Sequence, residues 1–336
     1  MVSTKLRHGM VAVALLCALA FGIWLVAGSV AQTEKTVAKV RIAGLALPGA
    51  GLLFIADERG YFREQGLEVE LQGHPTGKAA LEALYRGEAE FALAGDTPLV
   101  FNILAGQKLE ILGTVYRPNG GIAVVARKDQ AATPAALKGK RLGVTLVSSG
   151  QFVADTFLLA QGVDAAAVTM VDLKQTDALA ALQDGRIAAA SLWQPYLADA
   201  QEALGANGVT FSTSGLYTFR LSLVSRDGYA GRNAPTVRKV LTALQQAARF
   251  NSEQPEQTLD LLSKRTGIPK PSFKRFYLPA EYDLGLEQGL LLALDDQTRW
   301  ALKHGYVKAE RMPNYLDYLR PEGLTAVSPD AVKLIR

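Results

Sequence analysis

The sequence has little of what metal and thiol chemistry needs: among 336 residues there are one cysteine, Cys17, and three histidines, His8, His74 and His304. One cysteine cannot form a disulfide within the chain, and a zinc site built from cysteine and histidine would lack ligands. The excess of positive charge is also small, since 36 basic and 32 acidic residues give a net charge of +4. That balance is not typical of a nucleic-acid-binding surface. We therefore expect no metal, no cofactor and no nucleic-acid partner.

The N-terminus has the order of an export signal. Lys5 and Arg7 precede an apolar run of 18 residues, 10–27, and the small residues Ser29 and Ala31 follow it. This pattern predicts a signal peptide that is cleaved after Ala31. The run approaches the roughly 20 residues that span a bilayer, so an uncleaved membrane anchor is the alternative. Either way, we expect the rest of the chain to be exported to the periplasm.

The remaining chain has the composition of a packed globular protein, with 49% hydrophobic and 20% charged residues. From Val37 onward, short apolar strand patterns alternate with short helical patterns, which predicts an α/β fold with a parallel-rich sheet and helices on both faces. Turn-rich breaks at 116–121 and 213–218 indicate two lobes, and from Pro235 the pattern is helical. The predicted organisation is a signal peptide at 1–31, a first lobe with a helical tail at 32–116 plus 222–336, and a second lobe at 117–221.

Five segments carry a resemblance to a known family. In order, they are ADERGYFREQGLEVEL at 56–71, GKAALEALYRGEAEFALAGDTPLV at 77–100, LKGKRLGV at 137–144, VSSGQF at 147–152 and ALQDGRIAAASLWQPY at 181–196. They resemble blocks of the periplasmic substrate-binding proteins of sulfonate, nitrate and taurine ABC importers, a family that also includes thiamine-pyrimidine binders. The second segment contains the family's Gly-Asp-Thr-Pro turn, at 95–98.

The resemblance implies a type II periplasmic-binding-protein fold, with two crossover strands, a ligand in the cleft between the lobes and a helical C-terminal tail. It implies a monomer that closes on a small anionic or sulfonate-like organic ligand and delivers it to a membrane permease. The alternatives are a pyrimidine binder, a sensor that presents its ligand to a receptor, and an enzyme on the same fold. We do not expect an enzyme, because the family's pyrimidine-making enzymes rely on a cysteine-rich motif and the chain has no cysteine after residue 31.

Candidate ligand contacts cluster where helices begin after strands, at 48–51, 96–98 and 148–151. The free N–H groups and the dipole of a helix N-terminus suit an anionic oxygen, whereas the alternative is ordinary N-capping by Ser, Thr and Asp. We expect Thr97 to be an N-cap with Pro98 at the first helical position, and the Asp96 carboxylate to face backbone N–H groups. The predicted ligand-binding residues are Pro48, Gly49, Ala50, Asp96, Thr97, Ser148, Ser149, Gly150, Gln151, Trp193, Gln194 and Tyr217.

Overall fold

The structure is a computed structural model that describes residues 37–118, 120–278, 280–308 and 311–335. The predicted signal peptide and its cleavage site lie outside these residues. Within them, no helix is long and apolar enough to cross a membrane.

The strands fall into two five-stranded sheets and one short pair. They are β1 Ala38–Leu45, β2 Leu67–His74, β3 Phe91–Gly95, β4 Leu109–Tyr116, β5 Ile122–Arg127, β6 Arg141–Val144, β7 Thr169–Asp172, β8 Ala189–Trp193, β9 Gly208–Phe211, β10 Leu221–Arg226, β11 Leu286–Glu287 and β12 Val332–Lys333. The first sheet has the order β2-β1-β3-β10-β4 and the second the order β7-β6-β8-β5-β9. Strands β11 and β12 pair with each other.

The chain crosses between the two sheets twice, leaving the first after Tyr116 and returning to it at Leu221. This topology confirms the predicted two-lobed α/β fold, whereas the residue limits assigned to each lobe stay a prediction. Both sheets are mixed rather than wholly parallel. The sheets are mixed because the strand that follows each crossing runs antiparallel to its neighbours. After the first crossing β5 pairs with β8 and β9, and after the second β10 pairs with β3 and β4.

The burial of side chains along the strands of the first sheet follows from the position of each strand. Strand β3 is inside its sheet and is buried at every position, as expected for a central strand with helices on both faces. Strand β4 ends the same sheet and is also buried throughout, because the tail covers it with isolated bridges from Leu319 to Ile111 and from Gly285 to Thr114. Strand β2 lies at the edge of its sheet, and there Leu67 is buried while Glu68 and Glu70 are exposed. The alternation of apolar and charged residues along β2 thus agrees with its edge position.

Fourteen helices cover the sheets and form the tail in the part of the chain that the structure describes. They are α1 Gly51–Glu58, α2 Tyr61–Glu64, α3 Gly77–Tyr85, α4 Asp96–Leu104, α5 Lys128–Ala131, α6 Ser149–Ala160, α7 Gln175–Gln183, α8 Tyr196–Leu204, α9 Tyr229–Arg232, α10 Ala234–Glu253, α11 Pro255–Thr266, α12 Lys270–Tyr277, α13 Gln288–Lys303 and α14 Glu322–Val327. The short 3₁₀ turn Pro48–Ala50 precedes α1.

One predicted helix start is wrong. Helix α4 begins at Asp96 with Gly95 as its N-cap, so Thr97 lies inside the first turn rather than capping it. The physical reason is that both side chains bond to other parts of the fold. The Asp96 carboxylate accepts the Arg220 N–H at 3.0 Å, and the Thr97 hydroxyl bonds to Ser149.

Candidate functional site

A cavity of about 480 Å³ lies between the two lobes. Its lining comes largely from the segments that follow strands: 45–49, 75–78, 145–149, 172–174 and 193–194. These are the carboxyl ends of β1, β2, β6, β7 and β8. Ligands of open α/β sheets bind at such edges, because the chain there turns into loops and helix N-termini. The cavity is therefore where the topology favours a ligand.

The structure divides the twelve predicted ligand-binding residues into two groups. Those that line the cavity are Pro48, Gly49, Ser148, Ser149, Trp193 and Gln194. Those that are not part of its lining are Ala50, Asp96, Thr97, Gly150, Gln151 and Tyr217. Of the second group, Tyr217 lines a smaller cavity at the crossovers instead. The side chains of Asp96, Thr97 and Gln151 bond to other protein groups.

At the start of α6, the Ser148 hydroxyl forms hydrogen bonds within the protein. Ser148 is the N-cap: its Oγ donates to the Thr145 carbonyl at 2.6 Å and accepts the Gly150 N–H at 3.1 Å. Gln151 accepts the Val147 N–H at 2.9 Å, which holds Val147 at a φ of 56°. The Ser149 N–H, at the first helical position, is one of the donors that an α-helix leaves without an intrahelical partner. A ligand oxygen at this end of the cavity would meet backbone N–H rather than the Ser148 hydroxyl.

Thr97 and Ser149 join the lobes directly. Both are buried, and their hydroxyl oxygens are 3.1 Å apart. Thr97 also donates to the side-chain oxygen of Gln297 on α13, and the Gln297 amide donates to the Tyr217 hydroxyl at 3.4 Å. These groups form a hydrogen-bond network between α4, α6, α13 and the second crossover, so we regard the two hydroxyls as lobe contacts.

Asp96 lies beside this network and is completely buried. Burial raises the pKa of its carboxyl to about 6, although hydrogen bonds from Tyr217 and from the Arg220 N–H favour the ionised form. The Tyr217 pKa is raised well above its usual value by burial and by the neighbouring Asp96 charge. Oδ2 of Asp96 has no partner of good hydrogen-bond geometry among the described residues, so the ionised carboxylate is incompletely stabilised.

A second contact between the lobes involves residues that the sequence analysis missed. Asp155 on α6 is 4% exposed and accepts hydrogen bonds from the Trp300 indole and the Tyr306 hydroxyl, each at 3.0 Å. Burial raises the pKa of Asp155 above its ordinary value, and the two donors partly oppose this. Phe152 packs edge-on against Trp300 with ring centroids 5.2 Å apart. Helix α13 and the residues just after it therefore contact the second lobe through both polar and aromatic groups.

Three aromatic rings line the cavity, and each packs against a glycine. A Cβ added at Gly150 would lie 3.4 Å from the Trp193 ring, and one at Gly95 would lie 2.6 Å from the Phe219 ring. A Cβ added at Gly49 would lie 3.2 Å from the Tyr116 ring. These distances show that the missing side chains make room for the rings.

The charged groups of the wall are balanced in sign. Two lysines and two aspartates line the cavity and all four are exposed: Lys78, Lys174, Asp172 and Asp177. The side-chain oxygen of Gln194 is buried and has no hydrogen-bond partner among the described residues. Segment 75–78, which follows β2, was missed from the sequence, although the strand-end argument applied to 96–98 would have found it.

A smaller cavity of about 350 Å³ lies at the two crossovers. Arg117 and Arg220 both line it. Arg117 donates to Glu281 at 2.8 Å and lies 3.9 Å from Asp283, so its charge is balanced within the hinge. This arrangement indicates a structural role for Arg117.

Comparison with known proteins agrees with this geometry. A family model described as NMT1/THI5 like matches residues 48–258, more than half of the chain. A protein of Escherichia coli (strain K12) named "Putative aliphatic sulfonates-binding protein" is 30% identical over 198 residues, which cover 59% of this chain and 62% of that relative. The chain thus matches somewhat less than two thirds of that relative's length.

Solved structures show the same fold. The alkanesulfonate-binding protein SsuA from Xanthomonas axonopodis pv. citri, bound to MOPS, superimposes with a TM-score of 0.73 at 21% identity, over 84% of this chain and 98% of that chain. The desulfurization enzyme DSZB has a TM-score of 0.61 at 14% identity, over 87% of this chain and 99% of that chain. Binding proteins and an enzyme therefore share this two-lobed periplasmic-binding-protein fold, and the fold alone does not choose between them.

Proposed function

We propose that this chain, which belongs to the NMT1/THI5-like family, is the exported solute-binding protein of an ABC importer. It captures a small anionic or sulfonate-like organic ligand by closing its two lobes, at 32–116 plus 222–336 and at 117–221, and delivers it to a membrane permease. The observation that carries the proposal is the cavity between the lobes, at the carboxyl ends of strands from both sheets. Sulfonate-binding relatives support the ligand class.

The cavity walls belong to both lobes, so a bound ligand would contact both and favour the closed arrangement. A ligand shifts a conformational equilibrium only by its differential affinity for the two states. Contacts to Pro48 and Gly49 on one side, and to Ser149 and Trp193 on the other, would supply that difference. The backbone N–H groups at the start of α6 would receive the anionic oxygens.

The test is calorimetry of the purified protein against sulfonates, nitrate, bicarbonate and pyrimidines. We expect saturable binding of at least one organic sulfonate, accompanied by a change in tryptophan fluorescence. The fluorescence readout is informative because the two tryptophans among the described residues are Trp193 in the cavity wall and Trp300 at the lobe contact. Preferential binding of a pyrimidine would favour the thiamine-precursor alternative instead.

A cavity-filling variant makes the test specific. Leu146 lines the cavity and is 40% exposed, so Leu146→Trp should occupy the site and abolish binding without disturbing the core. Leu159 on α6 is 71% exposed and outside the cavity lining, so Leu159→Trp is the matched control. Absence of binding across the panel, or equal binding by both variants, would contradict the proposed ligand class or the proposed site respectively.

A further inference from the structure

We infer that the ligand carries a broad, flat apolar body, with the charged group as a minor part of it, so that small hydrated anions are poor ligands. This inference rests on the proposed function and narrows its ligand class. Its basis is the chemistry of the cavity wall, which is unusually poor in compensating charge for an anion site.

More than half of the residues that line the cavity have apolar or aromatic side chains. No arginine is among the described residues that line it, and its two lysines are matched by two aspartates. All four charged side chains are exposed to solvent. Removing a small anion from water is unfavourable unless charge or several hydrogen bonds replace its hydration. The charges of this wall are balanced, and the hydroxyls of its four serine and threonine residues, Thr76, Thr145, Ser148 and Ser149, bond within the protein. Apolar contact therefore has to supply much of the affinity.

The aromatic rings of the wall come from both lobes. Trp193 ends strand β8 of the second sheet, whereas Tyr116 ends strand β4 of the first sheet and Phe219 lies on the second crossover, just before β10. Each ring packs against a glycine, where a side chain would occupy the space of the ring. A planar apolar group that contacts rings on both sides would link the lobes. Aromatic groups prefer offset-stacked or edge-to-face contacts, which such a wall can provide.

The size of the cavity agrees with an organic ligand. Its volume of about 480 Å³ is within the usual range of small-molecule sites. Nitrate, bicarbonate or methanesulfonate would leave most of that space to water against leucine, valine and aromatic side chains. A fused ring system with one sulfonate group would displace this water and bury the apolar wall.

The test compares ligands that differ in one part at a time: naphthalene-2-sulfonate, methanesulfonate, nitrate and the uncharged naphthalene-2-sulfonamide. We expect naphthalene-2-sulfonate to bind about 100-fold more tightly than methanesulfonate, from the additional apolar area that it buries. Trp193→Ala and Leu146→Ala should each weaken its binding by about 10-fold or more. The control Leu159→Ala, which removes an exposed leucine outside the cavity lining, should leave binding unchanged.

The outcomes separate this inference from the proposed function. Methanesulfonate or nitrate binding as tightly as naphthalene-2-sulfonate would overturn the inference while leaving a solute-binding protein for small anions. Tight binding of the sulfonamide alone would support the apolar body and overturn the anionic ligand of the proposed function. Failure of all four compounds to bind would overturn both. If a variant does not fold, as judged by circular dichroism, the ligand series on the unaltered protein still decides.

Discussion

Asp96 provides a direct test of the contact between the lobes, because it places an ionisable carboxyl where no solvent reaches. The residue is completely buried, and one of its oxygens accepts the Arg220 N–H. Burial raises its pKa to about 6, against 3.8 for an ordinary aspartate. The perturbation is a change of pH in the unaltered protein and in the variant Asp96→Asn, which is similar in shape and does not ionise.

The magnitude follows from the two pKa values. A difference between 3.8 and about 6 corresponds to about 3 kcal/mol of stability. Because the folded pKa is above the unfolded one, this contribution is fully present below about pH 3.8 and is lost as pH rises through about 6. The free energy of unfolding of Asp96→Asn, relative to the unaltered protein, should therefore increase by about 2–3 kcal/mol between pH 4 and pH 8.

The assay is urea unfolding of both proteins at the two pH values, with the free energy extrapolated to zero denaturant. Using the difference between them removes the contribution of the other carboxyl groups. Asp227→Asn is the control, because Asp227 is exposed and its carboxylate lies outside the lobe contact. If the difference between Asp96→Asn and the unaltered protein is the same at both pH values, the ionisation argument is wrong.

Two further predictions concern buried polar groups. Trp300→Phe removes the indole donor to buried Asp155 and should lower the free energy of unfolding by about 1–3 kcal/mol in urea titrations; an unchanged value would mean that the remaining donor suffices. Arg320→Ala removes the 2.9 Å ion pair to Glu110, whose side chain is 2% exposed, and should cost about 1–3 kcal/mol in the same assay, because Glu110 keeps its hydrogen bonds from Ser225 and from the Ala230 N–H. Its control is Arg186→Ala, which breaks a solvent-exposed ion pair and should cost less than about 1 kcal/mol; equal losses would contradict the role of burial.

The sequence could predict that the cavity lies at the carboxyl ends of the strands, because this position follows from the topology. Alternating strands and helices predict α/β lobes, and ligand sites then lie after strand ends. That argument identified Ser148, Ser149, Trp193 and Gln194, all of which line the cavity. It needed only the order of elements along the chain. The prediction that these residues bind a ligand stays a prediction until binding is measured.

Side-chain partners distant in sequence could not be predicted in this way. Thr97 bonds to Gln297, and Asp155 bonds to Trp300 across 145 positions of the chain. A local pattern shows that Thr and Ser can cap a helix, but it does not show that another helix supplies a competing acceptor. The helical tail was predicted as an element, whereas its contact with the second lobe depends on how α13 packs. Thr97 was wrongly predicted to be the N-cap because its actual partners, Ser149 and Gln297, are distant in sequence.

The hydrogen bonds of the Thr97 and Ser148 hydroxyls also affect which ligands the cavity can distinguish. The hydroxyls of Thr97 and Ser148 bond within the protein, so they are poor candidates for distinguishing one anion from another. What remains for a ligand is the backbone N–H at the start of α6, which can donate to many kinds of ligand oxygen, and a wall of rings and aliphatic side chains. Such a wall distinguishes ligands by shape. Selectivity should therefore follow the apolar body of the ligand more closely than its acidic group.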